Sequence, residues 1–98
     1  MTITQTIENG KGILFPEGRL DTVTAPELEA AIQKILPSLN ELTLDLEKLE
    51  YISSAGLRVL LSTHKALSGK GGLTVTHVNE TISEIFEVTG FSDILTIR

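Results

Sequence analysis

Tyr51-Ile52-Ser53-Ser54-Ala55-Gly56-Leu57-Arg58-Val59-Leu60-Leu61 carries the chain from a predicted strand into a predicted helix across two adjacent serines. Upstream of it, Leu42, Leu44 and Leu46 alternate with Thr43, Asp45 and Glu47, the period of two expected of a strand with one buried face. Downstream, a helix beginning at Ser53 or Ser54 puts Leu57, Leu60, Leu61, His64 and Leu67 on one stripe. Arg58, Ser62 and Lys65 fall opposite. Gly69-Lys70-Gly71-Gly72 stops that helix, and the β-branched run Leu73 to Val78 reads as a strand. Asn79 or Thr81 can cap a third helix holding Ile82, Ile85 and Phe86, closed by Gly90. Phe91-Ser92-Asp93 and the apolar run Ile94 to Ile97 follow, the latter suited to a last short strand.

Toward the N-terminus, Ile3, Gln5 and Ile7 alternate with Thr4 and Thr6, and Ile13-Leu14-Phe15 resumes after Glu8-Asn9-Gly10-Lys11-Gly12. Asn-Gly tolerates positive φ at both positions, so this reads as a hairpin, with the second strand reaching about Glu17 or Gly18. Thr24 and Glu27 have capping-box spacing, and Pro26 sits in a first turn, where its missing N–H costs nothing. Leu28, Ala31, Ile32 and Ile35 continue that helix until Pro37 ends it, with Ser38-Leu39-Asn40 as the connection. A hairpin followed by alternating helices and strands predicts one α/β domain over residues 1–98, a mixed sheet of about four or five strands with about three main helices.

Composition narrows the function classes. Eight basic and thirteen acidic residues give a net charge of −5, with no basic cluster. Direct nucleic-acid binding is therefore disfavoured, since phosphates need a positive face. There are no cysteines, so disulfides and thiolate metal sites are ruled out. His64 and His77 show no metal-ligand spacing, and no cofactor is expected. No apolar run reaches the length of a membrane span and the N-terminus is unlike a signal peptide, which makes the cytoplasm the expected location.

The serine junction has two readings. A helix N-terminus offers unpaired N–H groups and a positive dipole end, and so favours an anion such as a phosphoryl group on Ser54. Serine is also a preferred N-cap, and from local chemistry alone that plainer role is the favoured one. Asp21 invites the same choice between a site residue and a charge serving a turn or helix start. Gly56 points to a close backbone approach. The acidic group Glu41, Asp45, Glu47 and Glu50 reads as solvated charge, and Gly69 to Gly72 precedes a strand, which no P-loop does. A serine hydrolase is the poorest fit: no histidine is placed to activate Ser54, and Gly-x-Ser-x-Gly is missing.

Three segments in order, Gly18-Arg19-Leu20-Asp21 with Thr24-Ala25-Pro26, Tyr51 to Leu61, and Ile85 to Phe91, resemble the signature of STAS domains, especially the anti-sigma factor antagonists. The resemblance covers essentially the whole chain. It implies a non-catalytic switch that binds an anti-sigma factor with serine kinase activity, with Ser54 as phospho-acceptor. It also implies a phosphatase that reverses the modification, and assigns ATP and Mg²⁺ to the kinase. Asp21, Thr22, Ser53, Ser54, Ala55, Gly56 and Arg58 become the expected partner-binding residues. Ser53 departs from the family pattern, where antagonists usually carry Asp. That departure keeps a second expectation alive, a non-phosphorylated STAS interaction or nucleotide-sensing module in a transport or signalling assembly.

Overall fold

In the computed structural model, which describes residues 1–98, the chain opens on the expected hairpin: β1 (Thr2–Glu8) and β2 (Lys11–Leu20) pair antiparallel. Asn9 and Gly10 turn between them with φ of 52° and 78°, the left-handed pair that matches the twist of the flanking strands. Then come α1 (Ala25–Ile35), a 3₁₀ turn (Leu36–Ser38), β3 (Glu41–Asp45), β4 (Leu49–Ile52), α2 (Ser54–Leu67), β5 (Gly72–Thr76), α3 (Glu80–Val88), a second 3₁₀ turn (Phe91–Asp93) and β6 (Thr96–Ile97). The strand order is β1-β2-β3-β5-β6, with every pairing after the hairpin parallel.

Two strands differ from the sequence reading. β2 runs past Glu17 and Gly18 to Leu20, bending at a register shift between Gly18 and Arg19. Gly18 takes φ +105° there, a conformation open to glycine, and its N–H donates to Lys48 O at 3.0 Å. Beyond that bend β2 leaves β3 and pairs with β4, a separate strand hidden in the sequence directly after the Leu42–Leu46 alternation. A tight turn divides β3 from β4: Asp45 Oδ1 accepts from Glu47 N–H, and Leu49 N–H donates to Leu46 O.

Burial alternates along the central strands. Leu14, Leu42, Leu44, Leu73 and Val75 are buried, while Ile13, Thr43 and Thr74 are only half-buried, so one sheet face carries the helices and the other meets solvent. Leu28 and Ile32 of α1, Leu60 and Leu67 of α2, and Ile82 and Phe86 of α3 complete one core. The α2 stripe is rotated slightly from the expected one. Val59 and Thr63 are buried, whereas Leu61 and His64 are half-buried. Thr63 enters the core at no polar cost, because its hydroxyl donates back to Val59 O at 2.8 Å. Asn79 caps α3 as one of the two expected candidates, its Oδ1 accepting from Ile82 N–H at 2.8 Å. Its amide nitrogen donates to Leu49 O at 3.0 Å and ties α3 to β4.

Candidate functional site

β2 and β4 end side by side, Leu20 level with Ile52, and Leu20 O accepts from Ser53 N–H at 2.8 Å. That bond brings the loop after β2 against the start of α2. Gly56 makes the fit possible. A Cβ built there would lie 2.7 Å from Leu20 Cγ and 2.8 Å from Ile52 Cγ1, so α2 can seat its first turn on the strand ends only with glycine at this position. Gly56 is buried on the side of α2 opposite the exposed Ser54 and Arg58.

Ser54 is the first residue of α2 and is exposed. The residue at the N-cap is Ser53, in extended conformation (φ −98°, ψ 177°), and its side chain makes no capping hydrogen bond. Ser53 Oγ is buried without a partner. Neither serine hydroxyl therefore satisfies a backbone donor of α2: a serine, Ser53, does occupy the N-cap as the plainer reading expects, but without the capping hydrogen bond.

The Asp21 loop is built by its own polar groups. Asp21 Oδ1 accepts from the N–H groups of Val23 at 3.0 Å and Thr24 at 3.1 Å. Thr24 Oγ1 accepts from Asp21 N–H at 2.8 Å and donates to Arg19 O at 2.7 Å. The expected capping box is thus not formed: Thr24 occupies the N-cap of α1, but its hydroxyl holds the loop instead of the helix. The Thr24 N–H foremost keeps the Asp21 carboxyl below the usual range. Partial desolvation opposes it, while the Val23 N–H, the Thr24 hydroxyl and Arg19 add to it. Arg19 also lies over the Tyr51 ring at 4.6 Å, stacking the end of β2 on β4.

Between α1 and α2 lies a shallow depression of about 200 Å³ whose lining includes Thr22, Pro26, Glu29, Ala55, Arg58 and Val59. Thr22, Ala55 and Arg58, expected at a partner surface, meet there although thirty residues and more separate the first from the others. Val23, beside Thr22 in sequence, is 79% exposed, an apolar side chain left in water at the same loop. Sequence reading missed both Val23 and the Arg19–Tyr51 stack, since each acquires meaning only when the β2 loop and β4 come together.

The acidic group is partly gathered by the fold. The parallel β3–β5 register sets Asp45 beside Thr76, so His77 Nδ1 reaches Asp45 Oδ2 at 3.2 Å, and Glu47 joins them within 4.8 Å. His77 takes φ 55° at this strand end. No helix is long and apolar enough to cross a membrane.

The STAS domain profile matches residues 2–98. A Bordetella bronchiseptica protein provisionally named anti-sigma factor antagonist BtrV is 33% identical over 99% of this chain and 85% of its own length. The Staphylococcus aureus anti-sigma-B factor antagonist is 32% identical over 83% of this chain and 77% of its own length. The crystal structure of an anti-sigma factor antagonist from Mycobacterium paratuberculosis superposes with a TM-score of 0.88 at 28% identity, covering 98% of this chain and 83% of that one. The profile, the Bordetella relative and the superposition each cover nearly the whole of the sheet and helices described above, and the chain belongs to the STAS domain family.

Proposed function

We propose that this chain is an anti-sigma factor antagonist, a non-enzymatic module that binds an anti-sigma factor and is switched by phosphorylation of Ser54. The observation that carries the reading is an exposed serine hydroxyl at the first position of a 14-residue helix, free of any capping duty. Relatives of this length named for antagonising anti-sigma factors support the partner class. A phosphoryl group on Ser54 would enter the positive end of the α2 dipole, where backbone N–H groups lack partners. Arg58, four residues on and exposed, lies on the same helical face and makes no ion pair, so a cation stands one turn from the acceptor. The depression lined by Thr22, Ala55 and Arg58 adjoins this corner and gives a partner both apolar and charged contact. On this reading the kinase is the anti-sigma factor itself, which supplies ATP and Mg²⁺, a phosphatase resets the switch, and the site of action is the cytoplasm.

The test is phosphate mapping on protein recovered from its own cells, together with capture of partners by wild type and Ser54→Ala. Phosphate on residue 54 and capture of an ATP-binding anti-sigma factor are the expected results. Phosphate on Ser53, or none under any growth condition, would overturn the switch. Ser53 in place of the usual Asp favours a second reading, a STAS interaction or nucleotide-sensing module that is not phosphorylated. Capture of transporter or signalling-complex subunits by an unmodified chain would select it.

A further inference from the structure

The two outer strands of the sheet are defended unequally. β6 has two residues, Thr96 and Ile97, with Arg98 following at once, so it offers little backbone and a charge beside it. β1 has seven residues in unbroken register with β2, contains no lysine, arginine or proline, and is exposed at every position except the half-buried Ile3. Edge strands are ordinarily blunted by shortness, charge, proline or a bulge, and β1 has none of these along its middle.

Its sequence adds a second, independent feature. Thr2-Ile3-Thr4-Gln5-Thr6-Ile7-Glu8 reads nearly the same in both directions about Gln5. An antiparallel copy with its two-fold axis at Gln5 would set Ile3 against Ile7 and Thr4 against Thr6. Glu8 would face Thr2, so no like charges would meet. The backbone agrees with that register. In a two-residue hairpin the residues flanking the turn, Glu8 and Lys11, form a hydrogen-bonded pair. Counting back by twos, Thr6, Thr4 and Thr2 also turn their N–H and C=O toward β2, which leaves those of Ile3, Gln5 and Ile7 directed away from the sheet. The two-fold at Gln5 pairs these three outward residues with the same three of the copy. Ile3 and Ile7 share a sheet face, so Ile7, 41% exposed, would be covered by the neighbour's Ile3, while Thr4 and Thr6 would pair on the solvent face.

We infer that β1 is a self-association edge, joining two copies of this chain about a two-fold axis at Gln5 into one continuous sheet. The interface is isologous and closes after two copies. A single strand pair is small beside the roughly 1,200 Å² or more of a stable complex, so the dimer is weak and reversible, with a dissociation constant on the order of micromolar or above.

The absence of native cysteine makes the register directly readable. Partners in a hydrogen-bonded antiparallel pair have Cα atoms about 5.5 Å apart and in a non-bonded pair about 4.5 Å, both within disulfide reach. Under mild oxidation Gln5→Cys should link to itself. Thr4→Cys and Thr6→Cys should link to each other when mixed, at least tenfold faster than either links alone. Sedimentation equilibrium of the wild type should show a monomer–dimer exchange, which Ile7→Lys weakens at least tenfold while leaving the melting temperature within a degree or two. A wild type that remains monomeric up to about millimolar concentration would overturn the inference. So would a dimer indifferent to Ile7→Lys, or a cross-linking pattern that does not single out residue 5 and the 4–6 pair.

Discussion

Ser53 and Ser54 are neighbours in sequence and opposites in environment, and that difference decides what each substitution does. Ser54 is exposed and lies inside α2, one residue past the N-cap, so Ser54→Ala removes no capping bond and should change stability by less than about 0.5 kcal/mol. A calorimetric loss near 1 kcal/mol, the usual cost of a lost cap, would instead return Ser54 to a structural role. Ser53 Oγ is buried and unpaired, so its removal costs no hydrogen bond either, and Ser53→Ala should leave both stability and phosphorylation of Ser54 largely intact. Ser53→Asp introduces a carboxylate beside Ser54 in a backbone conformation suited to an N-cap, and should increase phosphorylation by an antagonist-type kinase. Phosphate mapped to residue 53, lost in Ser53→Ala, would show the acceptor to be the wrong serine. Asp21 supplies a pH test. Its carboxyl is held below the usual value of 3.8, so the ionised form stabilises the folded loop above that pH, and this contribution is lost as pH falls through the lower, folded value. The melting temperature of wild type should therefore exceed that of Asp21→Ala at neutral pH and approach it in acid. A gap of constant size would mean that the carboxylate charge contributes nothing.

At the scale of elements, α2 is set by a glycine no periodicity argument could rank. Gly56→Ala places a methyl group within 2.7–2.8 Å of Leu20 and Ile52, which must be relieved by lifting the first turn of α2. The helix-propensity gain of about 1 kcal/mol only partly offsets such overpacking, so a net loss of about 1–2 kcal/mol is expected, read as a drop of several degrees in melting temperature. Unchanged stability would mean that Leu20 and Ile52 yield freely. The need for close approach here was legible in the sequence, as were the hairpin, its Asn9-Gly10 turn and the three helices, because each is specified by neighbours within a few residues. β4 was not. Leu49 to Ile52 is too short to show a period, and it becomes a strand through pairing with the end of β2, some thirty residues away. The Thr24–Glu27 spacing misled for a related reason: Arg19 O and Asp21 N–H compete for the threonine hydroxyl and win it for the loop. The Asp45–His77 pair was equally invisible, since only the parallel β3–β5 register brings those residues within 3.2 Å. Among the site residues, local chemistry favoured a capping role for the serine junction and only the family resemblance singled out Ser54, whereas the depression shared by Thr22, Ala55 and Arg58 needed the α1–α2 packing.

On the proposed switch, the molecule as a whole would have to accept a new charge at one corner without rebuilding its core. Phosphorylation adds roughly −1.5 to −2 at neutral pH to a chain already at −5, an unfavourable global change. Locally the balance differs, because the positive end of α2 and the Arg58 side chain both lie within a helical turn of Ser54. Phospho-Ser54 should accordingly melt within a few degrees of the unmodified protein, and Arg58→Ala should lower the stability of the phosphorylated form more than that of the unmodified form. An anti-sigma factor docked over Thr22, Ala55 and Arg58, as proposed, would meet a harder case. It must desolvate the dianion or leave it facing atoms placed for a hydroxyl, and disturbing a central contact of that kind costs about 2 kcal/mol or more. Binding should fall by about thirtyfold or more on phosphorylation, by less in the singly charged Ser54→Asp, and not at all in Ser54→Ala, which cannot be modified. Titration calorimetry of the four forms against the captured anti-sigma factor separates the contributions. If phospho-Ser54 binds as tightly as the unmodified chain, residue 54 lies outside the contact surface and the switch is wrong. If Ser54→Ala and phospho-Ser54 weaken binding equally, the hydroxyl itself is what the partner reads, and the added charge is incidental.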